Sequence, residues 1–259
     1  MVTFTLPAEL RAVTWHNQKP IYRMLFDCAI STLKDFGLRQ RHLGGEIGFT
    51  GVLHTHSRKL DYHPHCHVIV PGGAIDRRRK QWKKLKGNYL FNEFALARVF
   101  RARFLAAMKV EGLPLPTRLP PKWVADCQSV GRGAPALEYL SRYLYRGVIS
   151  EANIIADHHG QVTFRYTEGA TGAIRTRTLP GEDFLWLVLQ HVLSRGFPRV
   201  RDYGFLHGNA KPLLKLVQLV LHVLITAATP KPRPIVSCPS CRGVMQVVGV
   251  LPPLRAHPG

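Results

Sequence analysis

The stretch "DYHPHCHVIVPGG", Asp61 to Gly73, packs three histidines into five positions and then enters an apolar segment closed by Pro-Gly-Gly. In an extended strand, side chains at i and i+2 leave the same face. His65 and His67 therefore project together, while Cys66 points into a core. Two imidazoles converging on one face are half of a metal site. A histidine-rich loop with no ion is the plain alternative, and the rest of the chain has to decide.

The segments on either side suggest a sheet. "EIGFTGVLHTH" (Glu46 to His56) reads as a strand, and a short polar turn leads to the strand His65 to Val70, which implies an antiparallel pair. "VTFTL" (Val2 to Leu6) alternates like a strand. Ile21 to Phe36 carries apolar residues at helical spacing through Ile21, Leu25, Ala29, Leu33 and Phe36. Asn92 to Val110 is a second helical pattern, Leu113 to Pro121 is a proline-rich connection, and a third helix begins near Ala134 and runs through Arg146. Between Val148 and Thr178, β-rich stretches alternate with glycine turns, as in a small meander. "GEDFLWLVLQHVLSRGF" has acids in its first turn and Arg195-Gly196 at its end, which suits a helix. "LLKLVQLVLHVLITAA" (Leu213 to Ala228) is too short to span a bilayer and carries Lys215, Gln218 and His222, so a mostly buried helix is expected. Residues 1–228 read as one domain and 229–259 as a proline-rich tail.

Charge narrows the class of partner. The 259 residues hold 36 Lys+Arg against 16 Asp+Glu, a net charge of +20, with 46% apolar residues to build a core. A folded chain this basic faces a polyanion, nucleic acid first, with a bare basic surface or an anionic membrane as the alternative. The run "IDRRRKQWKKLKGNY" concentrates Arg77, Arg78, Arg79, Lys80, Lys83, Lys84 and Lys86 around Trp82 and Tyr89. Interleaved cations and rings suit a single strand, whose phosphates take the charge and whose bases stack. A solvated loop is the competing reading. Five scattered cysteines are poor material for a disulfide framework, and Met1 to Pro7 leads into a strand instead of a signal peptide. A cytoplasmic location is expected.

Tyr139 and Tyr143 stand at i and i+4 on the third helix, so their hydroxyls leave one face a turn apart, with Arg142 and Arg146 nearby. Most tyrosines simply pack a ring. A pair beside a His-x-His strand in a very basic chain is a different matter.

With these motifs the chain resembles the two-tyrosine HUH transposases, the rolling-circle insertion-sequence transposases. His65-Cys66-His67 fills the His-hydrophobic-His motif, and Tyr139 and Tyr143 match the Tyr-x-x-x-Tyr helix. "FTLPAELR", "LHTHSRKLDYHPHCHVIVPGG", "YLSRYLYRGVIS" and "HVLSRGFPRVRDYGFL" extend the likeness from the first strand to Leu206. The resemblance implies an α+β, HUH endonuclease-like domain with a central antiparallel sheet flanked by helices. It implies an enzyme that nicks and rejoins single-stranded DNA through a 5′-phosphotyrosine in DNA transposition, with Tyr139 and Tyr143 as nucleophiles and Mg²⁺ or Mn²⁺ as cofactor. It also implies a third protein ligand beside His65 and His67: His54 is the choice, with His56 and His63 as alternatives. Arg77, Arg78, Arg79, Lys80, Lys83, Lys84, Arg142 and Arg146 are the expected DNA contacts. Family members carry an N-terminal cysteine-rich zinc module, whereas this sequence opens on the first strand, so a shortened copy is expected. "CPSC" (Cys238 to Cys241) has zinc-knuckle spacing, but tetrahedral zinc needs two more ligands and only His257 is close. An incomplete Zn²⁺ site is the expectation there. The rival function is a basic, non-enzymatic nucleic-acid-binding protein with a structural zinc site, which leaves His-x-His idle.

Overall fold

The structure is a computed structural model that describes residues 1–39, 43–87, 90–131, 133, 135, 138, 141, 148–169, 171–224 and 236–246. The elements are β1 (Val2–Thr5), α1 (Arg11–His16), α2 (Gln18–Arg39), β2 (Phe49–His56), β3 (Tyr62–Ile69), β4 (Gly73–Asp76), β5 (Gln81–Lys84), α3 (Glu93–Val110), β6 (Val124–Cys127), β7 (Ile154–His158), β8 (Gln161–Thr167), β9 (Ile174–Pro180), α4 (Gly181–Leu189), β10 (Val200–Tyr203) and α5 (Lys211–Val220). Tyr139, Arg142, Tyr143 and Arg146 of the expected third helix lie outside the described residues, as does Tyr89.

Five strands form the main sheet in the order β10-β2-β3-β1-β6, with every neighbouring pair antiparallel. β3 is therefore central. Its residues alternate between buried and half-exposed: Tyr62, Pro64, Cys66 and Val68 are buried, whereas His63, His65, His67 and Ile69 reach the opposite face. The buried side meets α2 and α3. Ile21, Leu25, Ala29 and Leu33 line one stripe of α2, and Leu96, Phe100, Phe104 and Met108 one stripe of α3. These side chains share one core with Phe4, Leu53, Cys66 and Val68 from the sheet. Phe4 and Phe100 bring their ring centroids to 4.8 Å. Asn92 caps α3 by accepting from the Ala95 N–H at 2.9 Å, which satisfies a donor that the first helical turn leaves unpaired. This is the expected α+β architecture with a central antiparallel sheet and flanking helices.

Several local expectations are corrected. The strand expected from His65 begins earlier, at Tyr62, and runs through Pro64. The β2–β3 register shifts between His54 and His56, where the ladder passes Pro64, so its missing N–H coincides with a bulge. The basic run is not a loop: β4 and β5 pair as a hairpin with the turn at residues 77–80. β6 and β10, four residues each, follow no clear alternation and were not foreseen. β10 leads into Gly204, at φ +61°, where an added Cβ would lie 1.9 Å from the Ile47 carbonyl oxygen; only glycine passes there. α5 is shorter than the apolar run and buries only Leu213 and Val217 among its described residues, while Leu219 is 72% exposed. The cause is one-sidedness: one stripe meets Ile75 and Phe205, and the rest faces water. No described helix is long and apolar enough to cross a membrane.

The meander is present as β7-β8-β9. Phe164 of β8 and Phe184 of α4 pack with Leu60, and Arg177 reaches Asp61 at 2.8 Å, tying this layer to the β2–β3 turn. By contacts the chain divides into a unit of Met1–Val223 and one of Leu224–Gly259. In the second, Ser237 and Val244 form a bridge, and the Cys238 N–H donates to the Gly243 carbonyl at 2.8 Å. Cys238 and Cys241 stand on that tight turn, and hydrogen bonds from the Cys241 and Ser240 backbone lower the Cys238 thiol pKa.

Candidate metal centre and cleft

β2 and β3 place three imidazoles together. His54 is the cross-strand partner of His65, and His67 stands two residues further along β3. Ring centroids are 5.2 Å apart for His54–His65, 4.5 Å for His54–His67 and 4.8 Å for His65–His67. One nitrogen from each ring lies within 4.8 Å of the other two. The rings open into a cleft of about 1180 Å³, walled by the sheet on one side and by Ile149, Asn153, Arg165 and Tyr166 on the other.

Hydrogen bonds orient two of these rings. His65 Nδ1 donates to the His63 carbonyl at 2.6 Å, so its Nε2 carries the lone pair. His67 Nδ1 meets Thr3 Oγ1 of β1 at 2.9 Å. Bonding of this kind at one ring nitrogen fixes the other as a metal ligand. Burial also keeps the rings neutral, the form in which imidazole binds a cation. Desolvation, then His67, pushes His65 down to about 3. Desolvation pushes His67 down to about 4. His54 falls far below its ordinary range through desolvation first, then His67 and His65. Three neutral nitrogens around one open position form a donor set that fits a divalent ion.

The alternatives for the third ligand are placed differently. His56 lies past the bulge, with its ring 5.1 Å from His191, and burial followed by His191 takes it down to about 4. His63 lines the cleft but engages Arg11 through Nδ1 at 3.2 Å. His191, buried, holds Thr55 Oγ1 at 3.1 Å and the Leu60 carbonyl at 2.9 Å, which locks the loop between β2 and β3. Sequence reading singled out neither Arg11, Arg58, Arg165 nor His191. Arg11, Arg58 and His191 do fall inside the quoted stretches, so the stretches marked the region without assigning the residues.

The lowered histidines have a consequence for stability. A folded-state pKa below the unfolded value near 6.5 means that the unfolded chain takes up protons first. The histidine contribution to stability of the metal-free protein is therefore expected to be complete above about pH 7 and to be lost as pH falls from about 6.5 toward 4. Each fully linked site contributes up to about 1.4 kcal/mol per pH unit. Urea unfolding of chelator-treated protein at a series of pH values measures this, and a flat profile across that window would contradict it.

The basic hairpin lies outside the cleft lining. Arg78, Arg79 and Lys80 are exposed on its turn. Arg77 pairs with Glu46 at 2.9 Å and Lys83 with Asp76 at 3.1 Å, so two of the expected DNA contacts are already partly neutralised. Lys84 closes β5, exposed. Trp82 packs against Phe205, with centroids at 5.8 Å, instead of standing free to stack on a base. Arg78→Glu, Arg79→Glu and Lys80→Glu combined should flatten the salt dependence of single-strand binding by about 2 in d log K/d log[salt], at roughly 0.7 per phosphate contact. An unchanged slope in filter-binding titrations would assign the turn to solvent.

The family model described as "Putative transposase" (Y2_Tnp) matches residues 48–212, which hold both strands of the histidine cluster. The chain belongs to this transposase family. Similar proteins include "Putative transposase y4qJ" of Sinorhizobium fredii, 33% identical over 84% of this chain and 60% of that protein. The transposase for insertion sequence element IS801 of Pseudomonas savastanoi pv. phaseolicola is 30% identical over 89% of this chain and 60% of its own length. The chain thus spans about 60% of the curated relatives it matches. Among solved structures, the conjugative relaxase TrwC in complex with mutant OriT DNA aligns over 84% of this chain and 72% of that one, at 16% identity and a TM-score of 0.36.

Proposed function

We propose that this chain is a metal-dependent HUH-type enzyme that nicks and rejoins single-stranded DNA during rolling-circle transposition in the bacterial cytosol. The observation that carries the reading is the cluster of His54, His65 and His67 opening into a large cleft, in a chain of transposase family and net charge +20. A bound Mg²⁺ or Mn²⁺ offsets the charge on the non-bridging oxygens of a phosphodiester, which otherwise repels a nucleophile. The three imidazoles would hold that ion, with Thr3 and the His63 carbonyl orienting two of them.

Tyr139 or Tyr143 supplies the attacking oxygen. The phenol oxygen forms a bond to phosphorus, the bond from phosphorus to the 3′ oxygen breaks, and the proton passes from phenol to the departing 3′-hydroxyl. The phosphoester is exchanged and not lost, so rejoining needs no nucleotide cofactor. Two tyrosines allow two 5′ ends to be held at once, which strand transfer between donor and target requires. In this reading residues 1–228 are the catalytic domain, and residues 229–259 with Cys238 and Cys241 are a zinc half-site. Arg142 and Arg146 join the hairpin as DNA contacts.

The test is direct. The protein is incubated with labelled single-stranded oligonucleotides covering candidate element ends, with and without Mn²⁺, and resolved on a denaturing gel. A metal-dependent covalent adduct is expected. Binding without an adduct on any substrate would favour the non-enzymatic nucleic-acid-binding protein.

A further inference from the structure

His63 stands two residues before His65 on the same face of β3 and lines the same cleft, with the two ring centroids 5.3 Å apart. Yet the two rings are bonded in opposite senses. His65 Nδ1 faces a carbonyl oxygen, which can only accept, so that nitrogen carries the proton. His63 Nδ1 faces the Arg11 guanidinium, which can only donate, so that nitrogen must carry the lone pair. The proton of a neutral His63 is therefore on Nε2. One strand face thus presents a lone pair at His65 and an N–H donor at His63, side by side.

The support behind His63 is built for this. Arg11 comes from the first turn of α1 and reaches across to β3; its Nε is buried and makes no hydrogen bond among the described residues. Among the described residues, His63 is the hydrogen-bond partner of the guanidinium. A neutral donor has an advantage beside a divalent ion, because an imidazolium or ammonium there would repel the ion that the neighbouring rings hold. A fixed N–H aimed at phosphate oxygens also stabilises charge without reorganising during the reaction.

We infer that His63, held in its Nε2–H form by Arg11, is not a metal ligand but a hydrogen-bond donor to a phosphate oxygen of single-stranded DNA in the cleft. This rests on the DNA-nicking reading above. Arg11 is the positioning residue; His63 makes the contact.

The tautomer is read on the full chain by ¹⁵N–¹H correlation of histidine side chains, without metal. Wild-type His63 should show the Nε2–H form, and Arg11→Met a mixture of the two forms. Adding an oligothymidylate in Mg²⁺ should shift the His63 Nε2–H signal. In adduct assays His63→Leu should slow nicking about 100-fold, the scale of losing one oriented donor, while His63→Gln, whose amide nitrogen can stand where Nε2 does, should recover to within about fivefold of wild type. Both variants should bind Mn²⁺ within about twofold of wild type, whereas His65→Ala should not. An Nδ1–H tautomer, a signal unmoved by oligonucleotide, a Gln variant as slow as Leu, or loss of Mn²⁺ binding in His63→Leu would each overturn the assignment. If wild type forms no adduct on any substrate, the nicking reading fails, and the tautomer and oligonucleotide shift still decide whether His63 is a donor. Should His63→Leu fail to fold, the Gln variant and the wild-type spectra carry the test.

Discussion

Tyr139→Phe combined with Tyr143→Phe is expected to abolish the covalent protein–DNA adduct, a loss on the order of 10⁴-fold or more, since removing a covalent nucleophile leaves only binding and electrostatic assistance. Each substitution deletes one hydroxyl and keeps the ring, so unchanged circular dichroism should accompany the loss. Each single variant should still nick, through the remaining tyrosine, but fail to complete strand transfer, because one 5′ end then has nowhere to be held. Nicking and transfer products are separated on the same denaturing gel. An adduct in the double variant would place the nucleophile elsewhere, with Tyr145 next to be tested.

His65→Ala and His67→Ala should lower nicking by about 10³-fold or more, while single-strand affinity stays within a few-fold. The separation follows from where the groups lie. The imidazoles line the cleft, whereas the exposed cations Arg78, Arg79, Lys80 and Lys84 stand on the β4–β5 hairpin outside it. Chelation of wild type should reproduce the defect, and added Mn²⁺ should rescue the wild type but neither variant. Parallel loss of nicking and affinity would indicate a folding defect instead, because His67 is also tied to Thr3 of β1.

The residues that set the site were legible to different depths. The parity of His65 and His67 needed only the period of a strand, and Cys66 at 0% exposure is the other half of that alternation. His54 was reachable because a short turn forces the preceding strand to pair with β3, although spacing alone left His56 and His63 open. What separates His54 from His56 is the bulge beside Pro64, which breaks the register between them, and His63 is set apart by Arg11. A bulge depends on how two strands meet, and no local sequence pattern encodes it. The tautomers are likewise tertiary: Arg11 lies 52 positions from His63, and the run between them carries no mark of the contact. The hairpin was missed for another reason. Seven cations in ten residues hid a strand pair whose apolar content is little more than Ile75 and Trp82. β10 was too short to alternate, and glycine at 204 was its one readable sign.

The position of β3 within the sheet has a bearing on motion. Two paired strands stand on either side of it, and the edges fall to the four-residue β6 and β10. Opening the sheet by fraying therefore reaches β3 last, and its amide protons should exchange with solvent only through events close to global unfolding. The backbone that carries the histidine cluster is thus expected to be the stiffest part of this unit. On the proposed mechanism, the displacement that strand exchange demands then falls to the DNA and to elements other than this strand.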